Sequence, residues 1–279
     1  MATRAQAAGP GNDLNIPTPA PARWRLGRLV HSSRGMLLGT LAVAILLAGW
    51  QLAASLALVD PLFLPGPLTV LAALGEILAS PTFARDLGVS GREFGIGLGL
   101  SVLVGGVLGI LSGWYRSVEQ FLGPLVIALN SVPHLALIPL LILIFGIGAL
   151  PKIILVMLSC VVVMIMNTAA GVESVDPQLM RMSKSFGASD RQIIRTVVIP
   201  SVVPFFMTGL RISVGRAVVA VAIAEIFASV AGLGNILIKA QSSLDMPAMY
   251  ATVLLLTVIG VVLTQAAAWA ERRMQRWKA

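Results

Sequence analysis

Charge is scarce in this sequence. Lysine, arginine, aspartate and glutamate make up 11% of 279 residues, where a soluble domain carries roughly 25%. With 57% of the residues hydrophobic, there is too little charge to cover a water-facing surface. That excludes a cytosolic enzyme and points to an integral membrane protein. Cysteine is nearly absent: Cys160 stands alone, which excludes an intrachain disulfide framework and any multi-cysteine zinc or iron–sulfur site. Two histidines, His31 and His134, leave no basis for a histidine metal cluster. There is no glycine-rich phosphate loop ending in Lys-Ser or Lys-Thr, and no Ser/His/Asp set. The chain is therefore not expected to hydrolyse ATP or to be an enzyme.

Long apolar runs are what the sequence has instead. Residues 1–34 form a polar, proline-bearing segment with five arginines, expected to be a disordered cytoplasmic tail. The membrane domain is expected over 35–279, an all-α, polytopic bundle of six transmembrane helices. Its spans read as Met36–Leu58, Phe94–Trp114, Phe121–Phe145, Ile153–Ala170, Val202–Ala228 and Ala248–Ala270. A short helix, Leu68–Ala79, is expected along the outer interface. With the N-terminus inside, fourteen of the 20 basic residues fall in inner segments and four in outer ones, Arg85, Arg92, Lys152 and Lys239. This positive-inside bias places both termini in the cytoplasm and accounts for the net charge of +8 without a nucleic-acid partner.

Three deep charges remain, Arg211, Arg216 and Glu225. Each costs roughly 2.5–3.5 kcal/mol at mid-helix, so each should face protein or water. Either arginine supplies positive potential to a passage for an anion, or it binds a neighbouring carbonyl or acid to hold the bundle. Glu225 is read either as a pathway residue or as an acid that ties neighbouring helices together. Pro133 and Pro139 free carbonyls in the third span, which makes that span the expected wall of a passage. Asn130, Ser131 and His134 cluster there, His134 as a pathway residue or as packing. Two glycine ladders at four-residue spacing, Gly91, Gly95, Gly99 and Gly105, Gly109, Gly113, are expected to pack a neighbouring helix or a dimer seam.

Between the fourth and fifth spans, residues 171–200 spell two short capped helices. Asp176 is an N-cap with Pro177 at the first helical position, and Gly187 is a left-handed stop. Ser189 with Gln192 forms a capping box. Pro200 is expected to close the second helix, and Pro204 to open the fifth span. A rigid polar protrusion of this kind suits docking more than chemistry.

The Gly187 to Pro200 spacing, with Val197 and Ile199 between, resembles the EAA loop of ATP-binding-cassette importer permeases. Arg181, Met182 and Ser183 stand where that family usually has an acid and two alanines. Leu64-Pro65-Gly66-Pro67, the run from Val132 to Leu140, Phe145-Gly146-Ile147-Gly148, Gly209-Leu210-Arg211, Ala224-Glu225 and Gly232-Leu233-Gly234 resemble the nitrate/sulfonate/bicarbonate branch. Together these motifs cover about residues 60–270. The resemblance implies a type I importer permease whose loop docks a separate ATPase through Arg181, Ser183, Phe186, Gly187, Ala188, Ser189 and Pro200. It implies ATP and magnesium on that ATPase and none on this chain. It further implies a periplasmic binding protein, a second permease copy, a bacterial inner (plasma) membrane with its lipid, and a small oxyanion such as a sulfonate, taurine, nitrate or bicarbonate. The alternatives are an ion-coupled secondary transporter using Glu225, and a channel-like protein whose loop docks some other partner.

Overall fold

The computed structural model describes residues 23–56, 60 and 62–275, and every regular element among them is helical. Residues 1–22 of the expected tail lie outside the described residues, and helix α1 (Arg23–Ser55) begins inside the segment assigned to that tail. Its stretch Leu38–Ser55 is apolar enough to span. Residues up to 58 form a unit separate from 59–279. The second unit contains α2 (Pro67–Ala79), α3 (Phe83–Trp114), α4 (Arg116–Ser131), α5 (Ile138–Phe145), α6 (Ala149–Glu173), α7 (Pro177–Ser185), α8 (Asp190–Ile193), α9 (Ile199–Ala228), α10 (Leu233–Ser242) and α11 (Met246–Gln275). Among the described residues, five helical segments are long and apolar enough to cross a bilayer, and a bent pair makes up to six.

That bent pair is where the expected third span lay. Phe121–Phe145 is not one continuous helix: α4 and the stretch His134–Phe145 meet at 84°. Pro133 supplies no N–H and disfavours a helical residue before it, so Val132 turns extended at φ −72°, ψ 130°. A 3-10 turn, His134–Leu137, then leads into α5.

Pro200 behaves in the opposite way to expectation. It does not end a helix: α8 runs through a π-turn, Ile194–Val198, into α9, so Asp190–Ala228 is one helical path of 39 residues. One extra residue in the turn shifts the hydrogen-bond register ahead of the proline, which lacks the N–H a regular helix would need there.

Packing follows small residues. Helix α3 lies along α6, and α6 along α9. Gly97, Gly105, Gly109 and Gly113 face α6 so closely that a Cβ at Gly109 would sit 2.5 Å from Thr168 Cβ and 2.8 Å from the Ile165 carbonyl. Buried Ser101 continues the same row. Without a hydrophobic drive between spans, close backbone approach is what gives such a pair its dispersion energy. The other ladder, Gly91, Gly95 and Gly99, meets nothing within 4 Å and is not part of this seam. Between α6 and α9, Leu155, Val156 and Cys160 pack on Ala217, Ala220, Val221 and Ala224, with Ile138 and Leu141 of α5 joining them. Cys160 is buried here, its thiol donating to the Ser213 carbonyl at 3.3 Å.

Candidate functional site

The 171–200 protrusion is held by local chemistry at each end. Asp176 Oδ1 accepts from the Gln178 N–H at 2.7 Å, opening α7. At its other end Gly187 sits at φ +78°, its N–H donating to Lys184 O at 2.9 Å while Ala188 N–H reaches Ser183 O at 3.1 Å. These paired bonds form the Schellman stop, which a left-handed residue permits. The Ser189–Gln192 capping box then starts α8, with Ser189 N–H donating to Gln192 Oε1 at 2.8 Å.

The protrusion is also bolted to the bundle. Val172, Val175, Ile193, Val198 and Val202 form a core on which Met180, Ala188, Ile110 and Trp114 pack. The opposite face of α7 is bare. Leu179 and Met182 are half or more exposed and Phe186 is 85% exposed, and their spacing sets them within one quadrant of the helix. Arg181, also exposed, lies on another side of α7, where it borders a cavity with Trp114 and Lys184, while half-buried Ser183 donates to the Leu179 carbonyl at 2.8 Å. An apolar row on a polar protrusion marks a surface that another protein covers.

Charges within the spans fall into distinct environments. Glu225 is fully buried. Its Oε1 accepts from Ser90 Oγ at 2.6 Å and its Oε2 from the Gly234 N–H at 2.7 Å. Ser90 Oγ in turn accepts from Leu233 N–H at 2.9 Å, and Asp86 Oδ1 from Gly232 N–H at 3.1 Å. Three successive N–H groups at the start of α10 are thus taken by side chains of α3 and α9. Helices leave such donors unpaired, and negative charge is favoured beside them. Gly232 at φ +119° and Gly234 leave no room for a Cβ, because the Glu225 side chain, and at Gly234 also the Ala222 carbonyl, fills that space.

Beside this clasp, Lys152 Nζ meets Glu93 Oε1 at 2.5 Å and donates to Ser229 Oγ at 3.0 Å. Ser229 Oγ donates on to the Ala231 carbonyl. Lys152, expected in an outer loop, is therefore buried: α6 starts at Ala149 and α3 reaches back to Phe83, well before the expected Phe94. Asp86, Ser90 and Glu93 escaped the sequence reading, although their spacing already matched one helical face continuous with Gly97 and Ser101.

Arg211 is likewise engaged. Its Nε lies 3.4 Å from Glu271 Oε2 on α11, and Thr208 Oγ1 donates to Glu271 Oε1 at 2.8 Å. Arg216 is exposed and lines a cavity of about 460 Å³ with Pro133, His134, Ser159, Val219 and others. His134 Nε2 is buried without a hydrogen-bond partner among the described residues. Asn130 and Ser131 are exposed at the end of α4, with Ser131 Oγ bonded to the Ile127 carbonyl at 2.9 Å. Thus the structure brings His134 and Arg216 together, while Arg211 and Glu225 go to separate partners. Among the described residues no group of three or more His, Cys, Asp or Glu side chains is placed to hold a metal.

A bundle of membrane-spanning helices with a capped protrusion between two of them has the construction of a membrane transport subunit. Comparison with known proteins agrees. Residues 105–276 match the family of binding-protein-dependent transport system inner membrane components. The taurine transport system permease protein TauC of Escherichia coli is 34% identical over 260 residues, covering 91% of this chain and 92% of its own. The putative aliphatic sulfonates transport permease protein SsuC of Bacillus subtilis is 29% identical over 99% of this chain and 98% of its own. In fold, a bacterial transporter importing alginate aligns over 91% of this chain and 99% of that chain, with TM-score 0.63 at 14% identity. The inward-facing MetNI methionine transporter aligns over 78% and 100%, with TM-score 0.54 at 19% identity.

The chain belongs to the binding-protein-dependent transport system inner-membrane component family. It is the membrane permease of an ATP-binding-cassette importer and not an enzyme. The family implies an ATPase and a substrate-binding protein as partners. Membership sets aside the secondary-transporter alternative.

Proposed function

We propose that two copies of this chain form the passage of an importer for small oxyanions of the sulfonate type, in a bacterial inner membrane with both termini cytoplasmic. The observation that carries this reading is the bare row of Leu179, Met182 and Phe186 on a protrusion fixed to α3, α6 and α9. A rigid, apolar knob transmits a push from a docked ATPase into the spans, because packed helices move as units rather than deform. ATP and magnesium belong to that ATPase. Arg181, Gly187, Ala188, Ser189 and Pro200 shape or flank the knob.

The passage runs along the broken third span, where Asn130, Ser131 and His134 stand, and along α9. Backbone that leaves the helical path within a bilayer is tolerated beside protein or water, which supports a wetted wall at Val132–Pro133. The substrate class is supported by the taurine and aliphatic-sulfonate transport named for two relatives. The test is purification of the tagged chain from its native membrane in mild detergent. A stoichiometric P-loop ATPase and two permease copies per complex are expected. A folded chain that reproducibly comes without an ATPase overturns the reading.

A further inference from the structure

Arg216 is a cation deep within a span that has no counter-charge among the described residues. Lys152 has Glu93 and Arg211 has Glu271, whereas Arg216 forms no ion pair or hydrogen bond among the described residues. It lies twelve residues from the outer end of α9 and seventeen from the start at Ile199, about 18 Å and 25 Å along the axis. That places it in the middle third of α9, away from both helix ends.

Among the described residues, the long spanning helices have no free acid for a second copy to offer there either. The acids inside the spanning helices are Asp86, Glu93, Glu225 and Glu271, and all four are buried and engaged. Glu119 and Glu173 stand at helix ends. An unneutralised guanidinium at this depth is costly, so its counter-charge has to come from outside the polypeptide and arrive through water. The cavity facing Arg216 is bordered by the broken turn at Pro133, by Ser159, and by His134, whose Nε2 is the buried ring nitrogen without a partner.

We propose that Arg216, His134 and Ser159 form an oxyanion subsite in the passage, taking one sulfonate-like group at a time from a passing solute. This rests on the permease reading and names the residues that read the anion. The guanidinium offers a planar fork of donors matched to two oxygens of such a group. The imidazole and hydroxyl supply single bonds to the third. A site with one cation and few donors holds an anion briefly, which passage requires. Arg211, tied to Glu271, is excluded from this role.

The experiment uses the full transporter complex with Cys160→Ser and Val219→Cys, since Val219 borders the same cavity. Rates of thiol modification are compared for two methanethiosulfonates, one bearing a sulfonate and one a quaternary ammonium. With Arg216 present, the anionic reagent is expected to be favoured, and Arg216→Gln is expected to lower the anionic-to-cationic ratio about tenfold. Arg216→Lys should restore most of it. Methanesulfonate should slow labelling when Arg216 is present, less so with His134→Ala, and not at all with Arg216→Gln. A ratio indifferent to Arg216→Gln, or a Val219→Cys thiol that neither reagent reaches, overturns the subsite. Loss of the ATPase from every preparation, Arg216 intact or not, would instead be a failure of the permease reading.

Discussion

Ser90 and Glu225 are 135 residues apart in sequence, and the hydroxyl of one donates to the carboxylate of the other at 2.6 Å, both buried. Through Ser90 the bond passes on to Leu233 N–H, so α3, α9 and the start of α10 are tied by a single side chain. Ser90→Ala would leave Glu225 Oε1 and the Leu233 N–H without partners, each costing about 1–3 kcal/mol. The expected result is a clear fall in thermal midpoint in detergent, together with faster protease cutting near Lys239. Ser90→Thr, which keeps the hydroxyl, should lose less. An unchanged midpoint for the alanine variant would mean the bond contributes nothing.

The Lys152–Glu93 pair invites a cycle of variants. Lys152→Met strands a buried carboxylate and should cost about 3–5 kcal/mol, whereas replacing both partners by apolar residues should recover much of that. The Ser229 hydroxyl, which also bonds Lys152, tempers the recovery. Chemical denaturation of the two single variants and the double variant measures the coupling. Additive losses would show that the two charges do not interact.

Local chemistry made the 171–200 loop legible and left the clasp hidden. Asp176-Pro177, Gly187 and Ser189–Gln192 each act within a few residues, so their caps appear as written. Glu93 and Lys152 sit where hydropathy falls at the ends of spans, and a window that averages hydropathy places a buried, paired charge in a loop. Their partnership is set by how α3 meets α6, which no local pattern encodes. The Pro200 expectation failed because a π-turn can absorb a proline. Pro133 was expected to free carbonyls within one span, and the chain there turns by 84°. Of the two glycine ladders only Gly105, Gly109 and Gly113 lie on α6, because the row that faces it continues through Ser101 to Gly97.

Those glycines yield a paired comparison. At Gly109 even a methyl would meet the Ile165 carbonyl, a backbone atom that cannot rotate away, so α3 and α6 would have to separate. Gly109→Val should reduce the amount of folded, monodisperse protein several-fold, overpacking costing about 1–3 kcal/mol or more. Gly95→Val has open space and should leave the amount of folded protein unchanged. Equal yields of the two variants in gel filtration would contradict the seam.

The bare face of α7 can be separated from the scaffold that presents it. Phe186 is 85% exposed and its ring packs on nothing in the loop core, so Phe186→Ser should leave folding stability within about half a kcal/mol of the parent. If the ring is an anchor in the ATPase groove, the same change should weaken ATPase binding by roughly 2 kcal/mol, near thirtyfold. Gly187→Val acts by another route. At φ +78° a β-branched residue is strained, the Schellman bonds to Ser183 and Lys184 carbonyls loosen, and α7 loses its fixed angle to α8. That variant should lose ATPase binding together with loop order, read as increased hydrogen exchange over 177–193, whereas Phe186→Ser should lose binding with exchange unchanged. A Phe186→Ser complex that assembles and transports at the parental level would remove the apolar row of α7 from the interface.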